Sequence, residues 1–159
     1  MGRISEADGV PYQLMNLFFD VDYTILAMDS SLRPGTLETF RSLKEDGHSV
    51  YVWSGNGIRT REMEKHGLLP LLSGIYEKPL NNFEEGLAKL GVPVRPDLVV
   101  DDYQEIVSFF GGIWIAPYMF HNAEDTEMQR VLRILRSVAE TGTHEERGFY
   151  PQKPPRRLV

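Results

Sequence analysis

The sequence predicts an α/β fold: a Rossmann-like, doubly wound, mainly parallel sheet with helices on both faces. Two observations predict this class. Short, nearly continuous apolar runs recur along the chain, and such runs are typical of strands buried on both faces of a parallel sheet. Stretches of about ten residues with helical spacing of their apolar side chains separate these runs, as in βαβ units.

The first predicted strand is the apolar run at residues 14–19, and a helix follows it. Pro34-Gly35 opens this helix, apolar side chains recur in it every three residues, and Gly47 ends it. The second strand is residues 49–53. A polar helix through residues 59–66 comes next.

The later elements continue the alternation. A short strand is predicted around residues 74–76, after which Asn81 is a candidate cap for another helix. Apolar runs at residues 98–100 and 113–116 predict two further strands. The last helix runs from about residue 123 to 139 and carries an apolar stripe.

One domain accounts for most of the 159 residues. Residues 1–140 are predicted to form the α/β domain. Residues 141–159 are predicted to form a polar, proline-containing tail that is flexible or loosely docked. Both tryptophans, Trp53 and Trp114, lie at strand ends and are predicted to be core residues.

Composition excludes several kinds of site. The chain has no cysteine, which rules out disulfides, thiolate zinc sites, iron–sulfur clusters and a cysteine nucleophile. Its four histidines form no metal-binding pair. The net charge of −6 argues against binding to nucleic acid or an anionic membrane. Because cysteine ligands and a histidine pair are both missing, any metal must be a hard cation held by carboxylates.

No targeting or membrane signal is recognisable. The N-terminal residues have no apolar core of a secretory signal, and Glu6 occupies the position where myristoylation requires Ser or Thr. No apolar run approaches the roughly 20 residues that span a bilayer. A cytoplasmic protein is the default expectation.

Polar side chains follow four of the predicted strands. They are Asp20, Asp22 and Thr24 after the first strand, Ser54 and Gly55 after the second, Lys78 after the third, and Asp101 and Asp102 after the next. The carboxyl ends of parallel strands meet at one edge of the sheet, so these groups should converge. Clustered carboxylates repel one another and need a cation, and oxygen ligands suit Mg²⁺. A divalent ion beside a lysine and a hydroxyl would form a cradle for a phosphoryl group.

This ordered set of four motifs resembles the haloacid dehalogenase-like (HAD) phosphatase superfamily. The resemblance covers about residues 13–118, and each motif directly follows a predicted strand. It implies that Asp20 is the nucleophile and forms an aspartyl-phosphate intermediate. It also implies that Asp22 acts as general acid and then general base, and that Thr24 supports the loop. Because dehalogenases of the superfamily lack the second aspartate, Asp22 favours phosphoryl chemistry.

The resemblance implies binding roles for the other motifs. Ser54 and Gly55, through a hydroxyl and backbone N–H groups, would bind a phosphoryl oxygen, and Lys78 would neutralise charge between Asp20 and the phosphate. The implied Mg²⁺ ligands are Asp20, the backbone carbonyl of Asp22, Asp102 and, in support, Asp101.

Two residues depart from the family pattern. Position 23 is Tyr where most members have Gly, Asn or another small or polar residue. Many members also carry an acidic residue three or four places beyond the metal ligand of the fourth motif, and here only Glu105 occupies such a position. Whether Asp101 or Glu105 completes the metal shell is open.

The resemblance also indicates a capless member. Segments 23–53 and 55–77, where cap domains are inserted, must already supply elements of the main fold and cannot hold a further domain of roughly 40 residues. An open site excludes water poorly, so we expect a large substrate or a partner subunit, such as a second copy, that closes the cleft. Residues 27–33 are the candidate mobile flap.

Other interpretations stay open at this point. Asp20 and Asp22 could form an ordinary strand-ending turn, and Asp101 or Asp102 could cap the following helix. Lys65 is a rival to the lysine of the third motif. From the four motifs taken together, we expect a Mg²⁺-dependent phosphatase. The alternatives are a catalytically silent binding or regulatory module of the same fold, and a protein or nucleic-acid-end phosphatase in a larger assembly.

Overall fold

The computed structural model describes residues 11–155. The N-terminal residues considered for targeting signals lie outside this range. No helix within it is long and apolar enough to cross a membrane. The described residues form a six-stranded, mostly parallel sheet and five α-helices, which confirms the predicted α/β class.

The elements alternate along most of the chain. The strands are β1 (Asn16–Asp20), β2 (Ser49–Ser54), β3 (Gly74–Glu77), β4 (Leu98–Asp101), β5 (Gly112–Trp114) and β6 (Phe149–Tyr150). The helices are α1 (Thr36–Glu45), α2 (Thr60–Lys65), α3 (Phe83–Lys89), α4 (Gln104–Phe110) and α5 (Glu127–Thr141). A 3-10 turn at Leu69–Leu71 precedes β3.

The strand order across the sheet is β3-β2-β1-β4-β5-β6, and β1 to β5 are parallel. The chain starts at the central strand β1, moves outward to β2 and β3, and returns to β4 on the other side of β1. The order therefore reverses between β1 and β4. Ligands of open α/β sheets bind at such a switch point, outside the carboxyl ends of the strands.

Alternating residues of the strands build two separate cores. Leu17 and Phe19 of β1 belong to a core that includes buried side chains of α1, α2 and α5. Phe18 between them belongs to the opposite core, with α3 and α4. Helices therefore cover both faces of the sheet. Burial on both faces explains why β1 is a continuous apolar run.

The start of α3 corrects one sequence prediction. The sequence makes Asn81 a candidate cap for this helix, but the helix begins at Phe83 and no side chain caps it. The residue directly before it is Asn82, whose φ of 46° is left-handed. Asparagine tolerates this conformation better than most residues do.

The start of α5 also differs from the prediction. The helix begins at Glu127 rather than near residue 123. Asp125 accepts a hydrogen bond from the Glu127 N–H at 3.1 Å and also pairs with Arg33 at 2.9 Å. These contacts hold the preceding residues in a turn, which the apolar spacing of α5 alone does not indicate.

The two tryptophans have different environments. Trp53 is fully buried, as predicted. Trp114 is 37% exposed, so its assignment to the core is wrong. It is the last residue of β5, at the carboxyl edge of the sheet, and its indole N–H donates to the carbonyl of Asp102 at 2.9 Å.

The fold extends beyond residue 140. Strand β6, which the sequence analysis did not predict, pairs antiparallel with β5. Beyond β6, the Lys153 N–H donates to the Phe110 carbonyl at 2.9 Å, and Arg95 donates to the Lys153 carbonyl at 2.9 Å. The first part of the predicted tail therefore packs on the domain as an edge strand and its extension.

Candidate functional site

The centre of the site is a buried lysine between two buried aspartates. Asp20 and Asp101 are the last residues of the neighbouring strands β1 and β4. Lys78 directly follows β3, and its Nζ lies 3.0 Å from Asp20 Oδ1 and 3.0 Å from Asp101 Oδ2. The predicted convergence of these three residues is confirmed. Lys65, the rival lysine, is exposed.

Burial controls the charge of this cluster. It raises the pKa of Asp20 well above its ordinary value, the nearby Asp101 raises it further, and Lys78 opposes both effects. Burial likewise raises the pKa of Asp101 to about 6 against the opposing charge of Lys78. Burial lowers the pKa of Lys78, but the two carboxylates outweigh this and raise it overall. The lysine is therefore a cation, whereas the carboxylates resist full ionisation.

Asp102 completes a group of three carboxylates. One oxygen each of Asp20, Asp101 and Asp102 lies within 4.8 Å of the others. When all three are ionised, one ammonium leaves an excess of two negative charges, which a divalent cation would balance. Three carboxylate oxygens are the donor set that hard cations such as Mg²⁺ prefer. Glu105 is not in this group, and it accepts a hydrogen bond from the Tyr103 hydroxyl instead.

The carboxylate of Asp22 lies outside this group. Its Oδ2 accepts hydrogen bonds from Asn56 Nδ2 and from Arg59 Nη1, each at 2.7 Å. Burial raises the pKa of Asp22, but these hydrogen bonds outweigh it and the pKa is lowered overall. Asp22 is therefore an ionised partner of Arg59 in this structure.

Ser54 and Gly55 form the loop that follows β2. The Ser54 Oγ accepts the Asn56 N–H at 3.0 Å and lies 3.3 Å from Arg59 Nη1. A Cβ on Gly55 would lie 2.5 Å from the Leu80 side chain, so a larger residue here would displace the end of this exposed side chain. Arg59 thus connects Ser54 with Asp22.

Thr24 contacts the central aspartate. Its hydroxyl donates to Asp20 Oδ2 at 3.1 Å, which agrees with the loop-supporting role that the resemblance implies. The Thr24 carbonyl accepts a hydrogen bond from Arg33 Nη1 at 3.1 Å. Arg33 is buried and pairs with Asp125, so this end of the predicted flap is anchored in the domain.

Tyr23 has a left-handed backbone, with a φ of 65°. Gly and Asn adopt this conformation at lower cost than Tyr does. The Tyr23 N–H donates to the Leu26 carbonyl at 2.7 Å, and its carbonyl accepts the Tyr118 N–H at 2.7 Å. The surrounding loops hold the tyrosine in a conformation that costs about 1–2 kcal/mol.

Asn56 and Arg59 contact site residues that the sequence pattern does not connect with them. The signal available was a serine–glycine loop after a strand, followed within five residues by an arginine just before a helix. Such spacing is too common to identify a site. The side-chain contacts with Asp22 and Ser54 distinguish this arginine from the exposed Arg61 two residues later.

Comparison with known proteins adds no assignment to this geometry. No protein-family model matches the chain, and no curated protein matches it. The functional interpretation therefore depends on the residues of the site, in particular on the cluster around Lys78 and on Arg59.

Proposed function

We propose that the protein is a Mg²⁺-dependent phosphatase of the capless HAD type, which hydrolyses phosphomonoesters through an aspartyl-phosphate on Asp20. One observation carries the proposal. At a switch point of the sheet, Lys78 joins Asp20 to Asp101, and Asp102 completes a carboxylate group suited to a divalent cation. Residues expected at three strand ends, those of β1, β3 and β4, thus meet at this switch point.

Asp20 is the nucleophile in this proposal. Lys78 favours its ionised form against the effect of burial, and the Thr24 hydroxyl orients its second oxygen. The carboxylate attacks phosphorus, and the bond to the leaving oxygen breaks. Water then attacks the aspartyl-phosphate, which releases inorganic phosphate and regenerates the carboxylate.

Mg²⁺ would be held by Asp20, Asp101 and Asp102, with the backbone carbonyl of Asp22 as the further ligand that the resemblance implies. When bound, the ion supplies positive charge that offsets the negative charge of the carboxylates and of the phosphoryl group. Lys78 and the Ser54 loop supply the protein's own donors to that group.

Asp22 transfers the protons in this proposal, and Arg59 controls when Asp22 is free to do so. Arg59 holds Asp22 in its ionised form when no substrate is bound. A phosphoryl group between Ser54 and Asp20 would compete for the Arg59 guanidinium, because Arg binds phosphate with two parallel hydrogen bonds. Once released, the Asp22 carboxylate would take up a proton from solvent, donate it to the leaving oxygen and later accept a proton from the attacking water.

The Asp22–Arg59 contact also favours one alternative function. If the arginine never releases Asp22, the molecule is a catalytically silent module that binds Mg²⁺ and a phosphorylated ligand. Both functions predict binding of Mg²⁺ and of inorganic phosphate. Only the phosphatase predicts turnover.

Hydrolysis of an aryl phosphate at neutral pH, with and without Mg²⁺, tests the proposed function. We expect turnover that depends on added Mg²⁺ and stops when the metal is chelated. Isothermal titration with Mg²⁺ serves as the parallel measurement. Mg²⁺ binding without turnover of any phosphomonoester in a broad panel would select the silent module, and absence of both would reject the proposal.

Replacing Arg59 by Gln is expected to lower kcat/KM about 30-fold. Loss of a charge-assisted contact with phosphate costs about 2 kcal/mol, and the inhibition constant of inorganic phosphate should rise in parallel. Steady-state kinetics and product inhibition measure both effects. Arg61→Gln, which removes an exposed arginine two residues away, is the matched control and should stay within about twofold of wild type. An unchanged kcat/KM in Arg59→Gln would remove this residue from the mechanism.

Mg²⁺ affinity is expected to fall at least about tenfold between about pH 7 and pH 5. The cause is that burial raises the pKa of Asp101 to about 6, so protons compete with the ion as the pH falls through this value. Titration calorimetry at the two pH values measures the effect. Asp101→Asn should bind Mg²⁺ more weakly than wild type at pH 7, and its Mg²⁺ affinity should change less with pH. Equal affinities at both pH values in the wild type would contradict this assignment.

A further inference from the structure

Exposed apolar side chains are concentrated at the end of the sheet that holds the site. Within residues 11–155, eight large apolar side chains are exposed, and seven of them lie at or after the carboxyl end of a strand. The exception is Leu14, which precedes β1. We call the seven the apolar rim: Met28, Ile58, Leu80, Tyr103, Trp114, Met119 and Phe120.

All five parallel strands contribute to the apolar rim, and four of its members contact the site or each other. Leu80 packs against Gly55 beside the Ser54 loop. Trp114 donates to the carbonyl of Asp102. The Met28 N–H donates to the Met119 carbonyl at 3.0 Å, and this hydrogen bond connects the loop after β1 to the loop after β5. The rim therefore lies at the same end of the sheet as the Asp20–Lys78 centre.

The apolar rim has no role in either core. Phe120 is 72% exposed, and Ile58, Leu80 and Met28 are each at least 60% exposed. Exposed apolar residues scattered singly need no explanation, but seven of them at the end of the sheet that holds the site indicate a binding surface. A folded domain gains nothing from keeping them out of its core, so we assign their role to binding.

The width of the sheet edge that carries the rim favours one class of ligand. Five neighbouring strands at about 4.8 Å spacing extend over about 19 Å, with Asp20 on the middle strand β1. An extended polypeptide covers this distance with about six residues. A lipid phosphate or a small phosphorylated metabolite carries its phosphoryl group at one end, so it would contact one side of the rim only. A phosphorylated residue inside a polypeptide has chain on both sides.

We propose that the substrate is a phosphorylated polypeptide segment with large apolar side chains about two or three residues before and after the phosphorylated residue. This inference rests on the proposed phosphatase function and specifies its substrate class. The apolar rim would bind the flanking side chains while Lys78 and the Ser54 loop bind the phosphoryl group. The occupant must deliver a phosphoryl group to Asp20, and a permanent partner seated on the rim would obstruct that access.

The test compares two phosphopeptides of equal length and charge. One carries Leu or Phe on both sides of the phosphorylated residue, and the other carries Ser at the same positions. We expect kcat/KM to be at least about tenfold higher for the apolar peptide, since its two large side chains would be buried on the rim and those of the Ser peptide would not. Phe120→Ser and Ile58→Ser, on opposite sides of β1, should each remove much of this preference.

Leu14→Ser is the matched control, because Leu14 is similarly exposed at the other end of the sheet. Leu14→Ser should retain the full preference for the apolar phosphopeptide. Hydrolysis of a small aryl phosphate, which is too short to reach the rim, separates the two proposals. If the wild type hydrolyses it but treats both peptides equally, or cleaves neither, the substrate inference fails and the phosphatase function stands. If nothing is hydrolysed, the proposed function fails and the substrate inference fails with it.

Two other results would also overturn the inference. Faster hydrolysis of a long-chain alkyl phosphate than of the apolar phosphopeptide would assign the rim to a lipid substrate. A wild-type dimer, measured by light scattering, that dissociates in Phe120→Ser would assign the rim to a second copy of the chain. A monomer that prefers the apolar phosphopeptide is the expected result.

Discussion

Asp20→Asn is expected to reduce Mg²⁺-dependent hydrolysis of an aryl phosphate by at least about 10³-fold. Asparagine keeps the shape of the side chain and its contact with the Thr24 hydroxyl, but it lacks the anionic oxygen that attacks phosphorus. Initial rates with saturating Mg²⁺ measure the effect. The fold should be retained, because the substitution removes a buried carboxyl whose burial and neighbour Asp101 already disfavour its charge.

The matched control for this substitution is Asp46→Asn. Asp46 follows α1, at the opposite end of the sheet from the site, and forms an exposed ion pair with Arg136. Its replacement should leave the rate within about twofold of wild type, since exposed ion pairs contribute little to stability. If Asp20→Asn retains more than about a tenth of the activity, Asp20 is not the nucleophile.

Lys78→Met is expected to abolish turnover and to lower the free energy of unfolding by about 3 kcal/mol at about pH 8. Lys78 is the shared cation of Asp20 and Asp101, and its removal leaves two buried carboxylates without a neutralising charge. Methionine fills similar volume, so the loss reports charge rather than a cavity. Urea unfolding, monitored by circular dichroism, measures the change.

The loss should depend on pH in a defined direction. Without Lys78 the folded-state pKa values of Asp20 and Asp101 rise further, so the folded state holds more protons than the unfolded state. The stability that the two protonated carboxyls contribute is therefore fully present below the ordinary aspartate pKa. It is lost as the pH rises through their raised folded-state pKa values. The loss of unfolding free energy in Lys78→Met should therefore be smaller at about pH 5 than at about pH 8. Added Mg²⁺ should reduce this loss at the higher pH. A defect that is independent of pH and Mg²⁺ would contradict this account.

The order of elements was predictable because each buried strand is a continuous apolar run. The run that becomes β1 also predicts the site, since a polar residue directly after a doubly buried strand must lie at the carboxyl edge of the sheet. Asp20, Lys78 and Asp101 therefore converge as expected. Their approach to within hydrogen-bonding distance of one another depends on the pairing of β1 with β4, which the residue pattern alone does not specify.

Other features depend on contacts that no local pattern encodes. The two residues of β6 are too few to show strand periodicity, and their pairing with β5 is a tertiary contact. Arg33 belongs to a polar loop segment, yet its ion pair with Asp125 buries it. Arg59 reaches Asp22 and Ser54 only after the loops after β1 and β2 meet.

The most direct measurement for the central claim is a search for the aspartyl-phosphate itself. Wild-type protein is mixed with Mg²⁺ and an aryl phosphate, quenched in acid during steady-state turnover and analysed by intact mass and peptide mapping. The account predicts a fraction of the protein that is heavier by one phosphoryl group, located on the peptide that contains Asp20, labile to hydroxylamine and absent in Asp20→Asn. Turnover without such an adduct, with Asp20→Asn fully active, would contradict it.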